Sequence, residues 1–176
     1  MKKTRREKDW AYANLLGLQM LKQGEIAGIL HITDAKKLRE ICQSNDIEWS
    51  LSNQRPLLKL AIEKDPRLER YIKAEKEFWT KLDDLRLTVY EKAWARYGQE
   101  LQKEATKLLP MAQQAQNEAL VELGERYLDP SPLHTVGWDD LLGQAKEHTR
   151  AMFENIDQEL LPTPPAFPED TNEISR

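Results

Sequence analysis

Lys36, Lys37, Arg39 and Gln43 follow one another within DAKKLREICQS, a segment with helical periodicity. Cations and a carboxamide on one helix are suited to a polyanion. Lysine and arginine neutralise phosphates or reach guanine edges, and glutamine can contact bases or backbone. Thr33, just upstream, can also contact bases or backbone through its hydroxyl. Lys2, Lys3, Arg5 and Arg6 form a basic arm of the kind that lies on phosphate or in a minor groove; the alternative role for such an arm is a solubilising terminus. Glu40 stands in the middle of the candidate face and weakens non-specific attraction. Sequence preference, or low affinity per subunit, is therefore expected. The partner this chemistry fits is double-stranded DNA.

These residues need a scaffold, and Gln23 to Cys42 (QGEIAGILHITDAKKLREIC) reads as a helix-turn-helix. A first helix is expected over about Glu7 to Lys22, with Trp10, Ala13, Leu16 or Leu18, and Leu21 as its buried stripe. Gly24 breaks it. A short helix from Glu25 to Leu30 turns Ile26, Ala27 and Leu30 inward, and Ile32 is the hydrophobe after the turn. A helix over Asp34 to Ser44 opens on a Thr33/Asp34 cap and buries Leu38, Ile41 and Cys42. His31 stands where a turn glycine is usual, which demands a left-handed backbone or a differently shaped turn. The same geometry occurs in three-helix packing units that bind no DNA, so that reading stays open. Ile47, Trp49 and Leu51 alternate as a short strand or extended cover, with Trp10 and Trp49 as core anchors. Ser52, Asn53 and Gln54 before Pro56 read as a cap and first helical turn, followed by a short helix to Lys64.

Downstream, one long helix is expected from Pro66 to about Leu109. Phe78, Leu82, Leu85, Val89, Ala93, Tyr97, Leu101, Ala105 and Leu108 recur every three or four residues along it, a seam for partner helices. At ~1.5 Å per residue it would reach roughly 65 Å. Gly98 and Pro110 are its weak points; Pro110 kinks it or ends it at a hairpin. Met111 to Leu128 is helical, with Ala115, Ala119, Leu120, Leu123 and Tyr127 on one side. Residues 129–138 read as a loop and Trp138 to Leu160 as a last helix. The proline-rich, acidic end reads as disordered with a polyproline bias. The organisation expected is thus a DNA-binding head with its basic arm (1–52), a helical oligomerisation region (53–128), a loop and C-terminal helix (129–160) and a disordered tail (161–176). The fold class is all-α: a helix-turn-helix head, a long antiparallel, coiled-coil-like oligomerisation arm and a flexible tail.

Composition excludes several classes. Residues 1–60 hold 11 Lys+Arg and 7 Asp+Glu, a net +4; residues 61–176 hold 15 and 23, a net −8. A basic head on an acidic body fits a head that meets a polyanion. The single cysteine, Cys42, permits no internal disulfide and fits a reducing compartment. His31, His134 and His148 are too far apart for a local metal motif. Asp83–Asp84, Asp139–Asp140 and Glu75/Glu77 have no histidine or glycine-rich loop beside them. No catalytic residue, metal or cofactor is expected, and the chain is not expected to be an enzyme. Trp79, Tyr90, Trp94 and Tyr97 could form a stacking platform for single strands, but their helical spacing fits core or subunit contact better. No apolar run is long enough to cross a bilayer and no signal peptide is expected, so the expected location is the cytoplasm.

The basic helix-turn-helix head with QGEIAGILHIT, the long helical seam and the acidic tail together resemble the small terminase subunits of tailed bacteriophages. That resemblance implies heads that recognise viral DNA and central helices that assemble subunits into a ring. It also implies a C-terminal segment that engages the large terminase subunit, which packages the genome. Carried over, Lys36, Lys37 and Arg39 would face DNA. Phe78, Leu82, Leu85, Val89, Tyr97, Leu101 and Leu108 would build the homo-oligomer, and Leu161 to Arg176 would meet the motor. The alternative is a transcriptional regulator or plasmid partition protein acting as a coiled-coil dimer. A third reading is a non-catalytic helical adaptor.

Overall fold

The computed structural model describes residues 7–129 and 131–164. Among them the fold is all-helical, with no strand and one long central helix. The elements are α1 (Glu7–Lys22), a 3-10 helix (Ile26–His31), α2 (Ala35–Ser44), α3 (Trp49–Gln54) and α4 (Leu58–Ile62). They continue with α5 (Leu68–Leu108), α6 (Gln113–Tyr127), α7 (Pro132–Val136), α8 (Trp138–Met152) and a second 3-10 helix (Gln158–Leu160). No described helix is long and apolar enough to cross a membrane. The described residues form two compact units. One is built from residues up to Lys81 together with those from Ala145 onward; the other is Leu82–Gln144.

In the first unit, α1 ends because Gly24 takes a left-handed φ of +84°. Gly24 N then donates to Leu21 O and Glu25 N to Met20 O, closing the helix end with a paired-bond cap. The chain re-enters as a 3-10 helix rather than the expected α-helix. With three residues per turn, Ile26, Ile29 and Ile32 fall on one side. Ile29 and Ile32 are wholly buried, whereas none of Ile26, Ala27 and Leu30, the residues that an α-period points inward, is. All three are half-buried and pack on the core from its edge. The 3-10 helix lies against α1 at a glycine-on-glycine contact. A Cβ on Gly17 would stand 2.5 Å from Gly28 O, and one on Gly28 would stand 2.4 Å from Gly17 O.

The core of this unit gathers Ile29, Ile32, Leu38, Leu57, Leu58, Leu68, Tyr71, Ile156 and Leu161. The last two come from the C-terminal segment. Trp138–Leu160 is therefore not one helix. It stops at Met152, Asn155 turns through a left-handed φ of 57°, and Ile156 drops into the core. Tyr71 Oη accepts from Asp157 N at 2.9 Å, and Asp157 caps the following 3-10 turn through Glu159 N. Leu161 and Pro162, expected in the disordered tail, are buried; residues 165–176 lie outside the described part.

Other expectations shift for local reasons. Ile47 to Leu51 forms no strand, because Trp49 starts α3, and its indole is 77% exposed rather than a core anchor. Ser52, Asn53 and Gln54 close that helix rather than cap the next: Arg55, ahead of Pro56, is pushed to an extended φ/ψ of −134°/84°. On α1, Leu18 and Leu21 pack on the core, whereas Leu16 is exposed with Tyr12 and Leu15.

In the second unit the chain reverses after Leu108, ahead of Pro110, and α6 runs back along α5. Gln116 Nε2 donates to Leu108 O, and at the other end the Arg96 guanidinium lies over the Tyr127 ring, 5.4 Å from its centroid. Gly98 does not interrupt α5. No residue of α6 is fully buried; Ala115, Leu120, Leu123 and Tyr127 are half-buried. The expected loop 129–138 contains α7, opened by Pro132 and closed by Gly137 at a φ of +91°. Asp129 anchors its start. Its carboxylate accepts from Thr135 Oγ1 at 2.7 Å and Ser131 N at 2.8 Å, and these bonds hold its pKa below the usual carboxylate range.

Gly28→Ala should lower the unfolding free energy by about 1–3 kcal/mol, because the added methyl meets the Gly17 carbonyl oxygen, a backbone atom that cannot swing aside, as well as Met20 Cβ. Chemical denaturation measures it. Gly98→Ala, with nothing within 4 Å of the new carbon, is the matched control and should not destabilise.

Candidate nucleic-acid interface

The interface candidate begins with how the turn before α2 is held. The 3-10 helix leaves Ile29 O and Ile32 O pointing into the protein. Arg55 Nη1 donates to both, at 3.0 and 2.8 Å. Ile29 O also accepts from Ile32 N, at a longer 3.3 Å. The remaining face of the guanidinium meets Glu75 of α5: Nε donates at 2.9 and 3.1 Å and Nη2 at 2.6 Å. Both side chains are only 5% exposed. Thr33 N donates to Asn14 Oδ1 of α1 at 3.0 Å, tying the other side of the turn. His31 needs no left-handed backbone. The turn takes a different shape, with Ile32 extended at φ −75°, ψ 119°.

From that turn α2 starts on Asp34, whose side chain accepts from Lys37 N at 2.9 Å. Leu38 and Cys42 face the core, with Ala35 and Ile41 packed against it. Burial pushes the Cys42 thiol up to about 11, so at neutral pH it is an apolar filler rather than a nucleophile. Lys36, Lys37 and Gln43 are exposed on the remaining surface of the helix, which also carries Glu40.

Arg39 is placed differently. It is half-buried, its Nη2 donates to Asp65 O at 2.9 Å, and its Nε is buried without a hydrogen-bond partner. It braces α2 against the turn that leads into α5. Thr33 is half-buried. Lys2, Lys3, Arg5 and Arg6 lie outside the described residues. The structure thus leaves Lys36, Lys37 and Gln43 on the open side of α2 with Glu40, and turns Arg39 inward.

A groove of about 330 Å³ runs beside the start of α2, lined by Thr33, Asp34, Ala35 and Lys36 on one side and Glu69, Ile72, Lys73 and Lys76 of α5 on the other. Nothing in the sequence ties Lys73 and Lys76 to Lys36, since they lie more than thirty residues from it and only the fold joins them. Their three-residue spacing on a helix is the one sign available there.

Of the seam residues expected at subunit contacts, Phe78, Leu82, Val89 and Leu108 are buried within the single chain, and Leu85, Tyr97 and Leu101 are not exposed beyond halfway. Exposed apolar side chains on that helix lie elsewhere: Leu87, Tyr90 and Trp94, the last 66% exposed. The described residues include no group of three or more His, Cys, Asp or Glu able to hold a metal. His148 Nε2 meets Glu77 Oε1 at 2.9 Å, a link between α8 and α5.

Comparison with protein-family profiles, curated proteins and solved structures finds no match for the chain.

Replacing Arg55 by Met should destabilise by about 3–5 kcal/mol, because Glu75 is left as a buried, uncompensated charge. Adding Glu75→Leu should recover part of that loss only, since Ile32 O still lacks the arginine donor and Ile29 O keeps only its longer backbone bond. Denaturant titration of the single and double variants checks this. Complete recovery would show that the two carbonyl bonds add no net stability.

Proposed function

We propose that the chain is a DNA-binding, self-associating protein that works as the small terminase subunit of a tailed phage, recognising viral DNA and delivering it to the large-subunit motor. What carries the DNA part is the open side of α2. A short helix, capped at its start and fixed through Arg55, Asn14 and Arg39, presents Lys36, Lys37 and Gln43 to solvent while Leu38 and Cys42 hold it to the core. On this reading the three elements α1, the 3-10 helix and α2 act as a helix-turn-helix head. The phosphate contacts fall to the two lysines, and Arg39 serves as a brace. Engagement of the large subunit is assigned to the C-terminal segment beyond Pro162, because Leu161 and Pro162 are already packed.

Self-association supplies what one head lacks, since two exposed lysines bind phosphate weakly and several heads acting together bind far better. The surface assigned to it is the stripe Leu87, Tyr90 and Trp94, spaced i, i+3, i+7 on α5. A stripe this short also favours the second reading, a dimeric transcriptional regulator or partition protein, in which one pairwise contact suffices.

Duplex binding measured by fluorescence anisotropy against salt tests the DNA reading. Log affinity should fall linearly with log salt, and Lys36→Ala/Lys37→Ala should reduce the slope by about 2. Absence of salt-dependent binding by the wild-type chain would sink the reading. Native mass spectrometry tests the assembly: the wild-type chain should exceed its 20.5 kDa protomer mass, and Leu87→Glu/Trp94→Glu should return it to that mass. A closed ring favours the packaging role and a dimer the regulator.

A further inference from the structure

We propose that Lys73 and Lys76 of α5 join Lys36 to form a second line of contact with the phosphate backbone of duplex DNA. This rests on the DNA-binding reading above and names a part of the surface that α2 alone does not contain. The three lysines come from two elements and line one groove beside the start of α2. With Arg39 bonded to Asp65 O, they stand with Lys37 as the cations near the first turn of the helix assigned to DNA.

Of the two acids in the groove, Asp34 serves as the helix cap and keeps its charge, while Glu69 is ion-paired. Asp34 gives a carboxylate oxygen to Lys37 N, and Glu69 pairs with Lys73 at 3.2 Å. That pair is solvent-exposed on both sides, at 66% and 71%, so exchanging Glu69 for a phosphate costs little. Lys76 is held more firmly. Its ammonium lies over the Trp10 ring, 5.8 Å from the centroid, an attraction that orders its stem. The groove offers no apolar anchor, because Ile72, its one large hydrophobe, is only 3% exposed. A protein partner would need such an anchor at the centre of its interface, whereas a phosphate backbone needs only placed cations.

The test is anisotropy of a labelled duplex of arbitrary sequence, titrated with the full chain over a range of salt. Lys73→Gln/Lys76→Gln keeps a polar, helix-compatible side chain at each position and removes the charges. It should lower the salt slope by about 2, alike for all duplex sequences, at about 0.9 for each phosphate that is no longer neutralised. Lys92→Gln/Lys103→Gln, in the other unit, should leave the slope unchanged. If the Lys76 substitution loosens the fold, read by far-UV circular dichroism, Lys73→Gln alone should still lower the slope by about 1. A wild-type slope in the double variant, or tighter binding of polyglutamate than of duplex at equal salt, overturns the groove while the α2 reading stands. Failure of the wild-type chain to bind duplex removes both.

Discussion

The Arg55 guanidinium is the group on which the head depends. A 3-10 helix that ends inside a protein leaves carbonyls short of helical partners, and an unpaired buried carbonyl costs about 1–3 kcal/mol. Arg55 supplies donors to two of them, but a buried cation would be costlier still without Glu75 beside it. The three groups are therefore interdependent. The turn needs the arginine, the arginine needs the glutamate, and the glutamate is fixed by its place on α5. Because α2 begins three residues after Ile32, its direction is set by this cluster rather than by its own sequence.

The sequence is legible where local physics decides the outcome. Gly24 ends α1 after Lys22, Asp34 caps α2, and the stretch from Phe78 to Leu108 runs as one helix, because each depends on a few neighbours or on a sustained period. Where sequence and structure part, distant groups decide. A period of 3.6 over Ile26 to Leu30 passes over Ile29, which a period of three buries. Helical position alone points Arg39 outward, but a carbonyl at Asp65, from a distant turn, satisfies it. Arg55 and Glu75 look like surface charges in the sequence, because nothing in either neighbourhood reveals the other. Ile156 and Leu161 reach the core only because an asparagine turn follows the early end of α8.

The two faces of α5 illustrate how a repeated apolar pattern can be ambiguous. A seam of this spacing satisfies either a second subunit or the chain's own later helices, and periodicity alone does not separate them. Phe78, Leu82, Val89 and Leu108 are buried within one chain. Leu87, Tyr90 and Trp94 form a shorter and weaker pattern, yet these are the apolar side chains that α5 leaves to solvent. α6 is thinly covered, with no residue fully buried, so the stretch around it relies on helix-internal bonds more than on packing.

The glycine contact between α1 and the 3-10 helix has an evolutionary consequence. At most packed positions a larger residue can be accommodated by trimming a neighbouring side chain, so drift proceeds through compensating pairs. At Gly17 and Gly28 the obstacle to each is the other's backbone oxygen, and no side-chain change removes an oxygen from the main chain. The two positions are closed to epistatic rescue. A lineage that loses either glycine must re-space the two elements, and with them the carbonyls that Arg55 holds, or abandon this arrangement of the head.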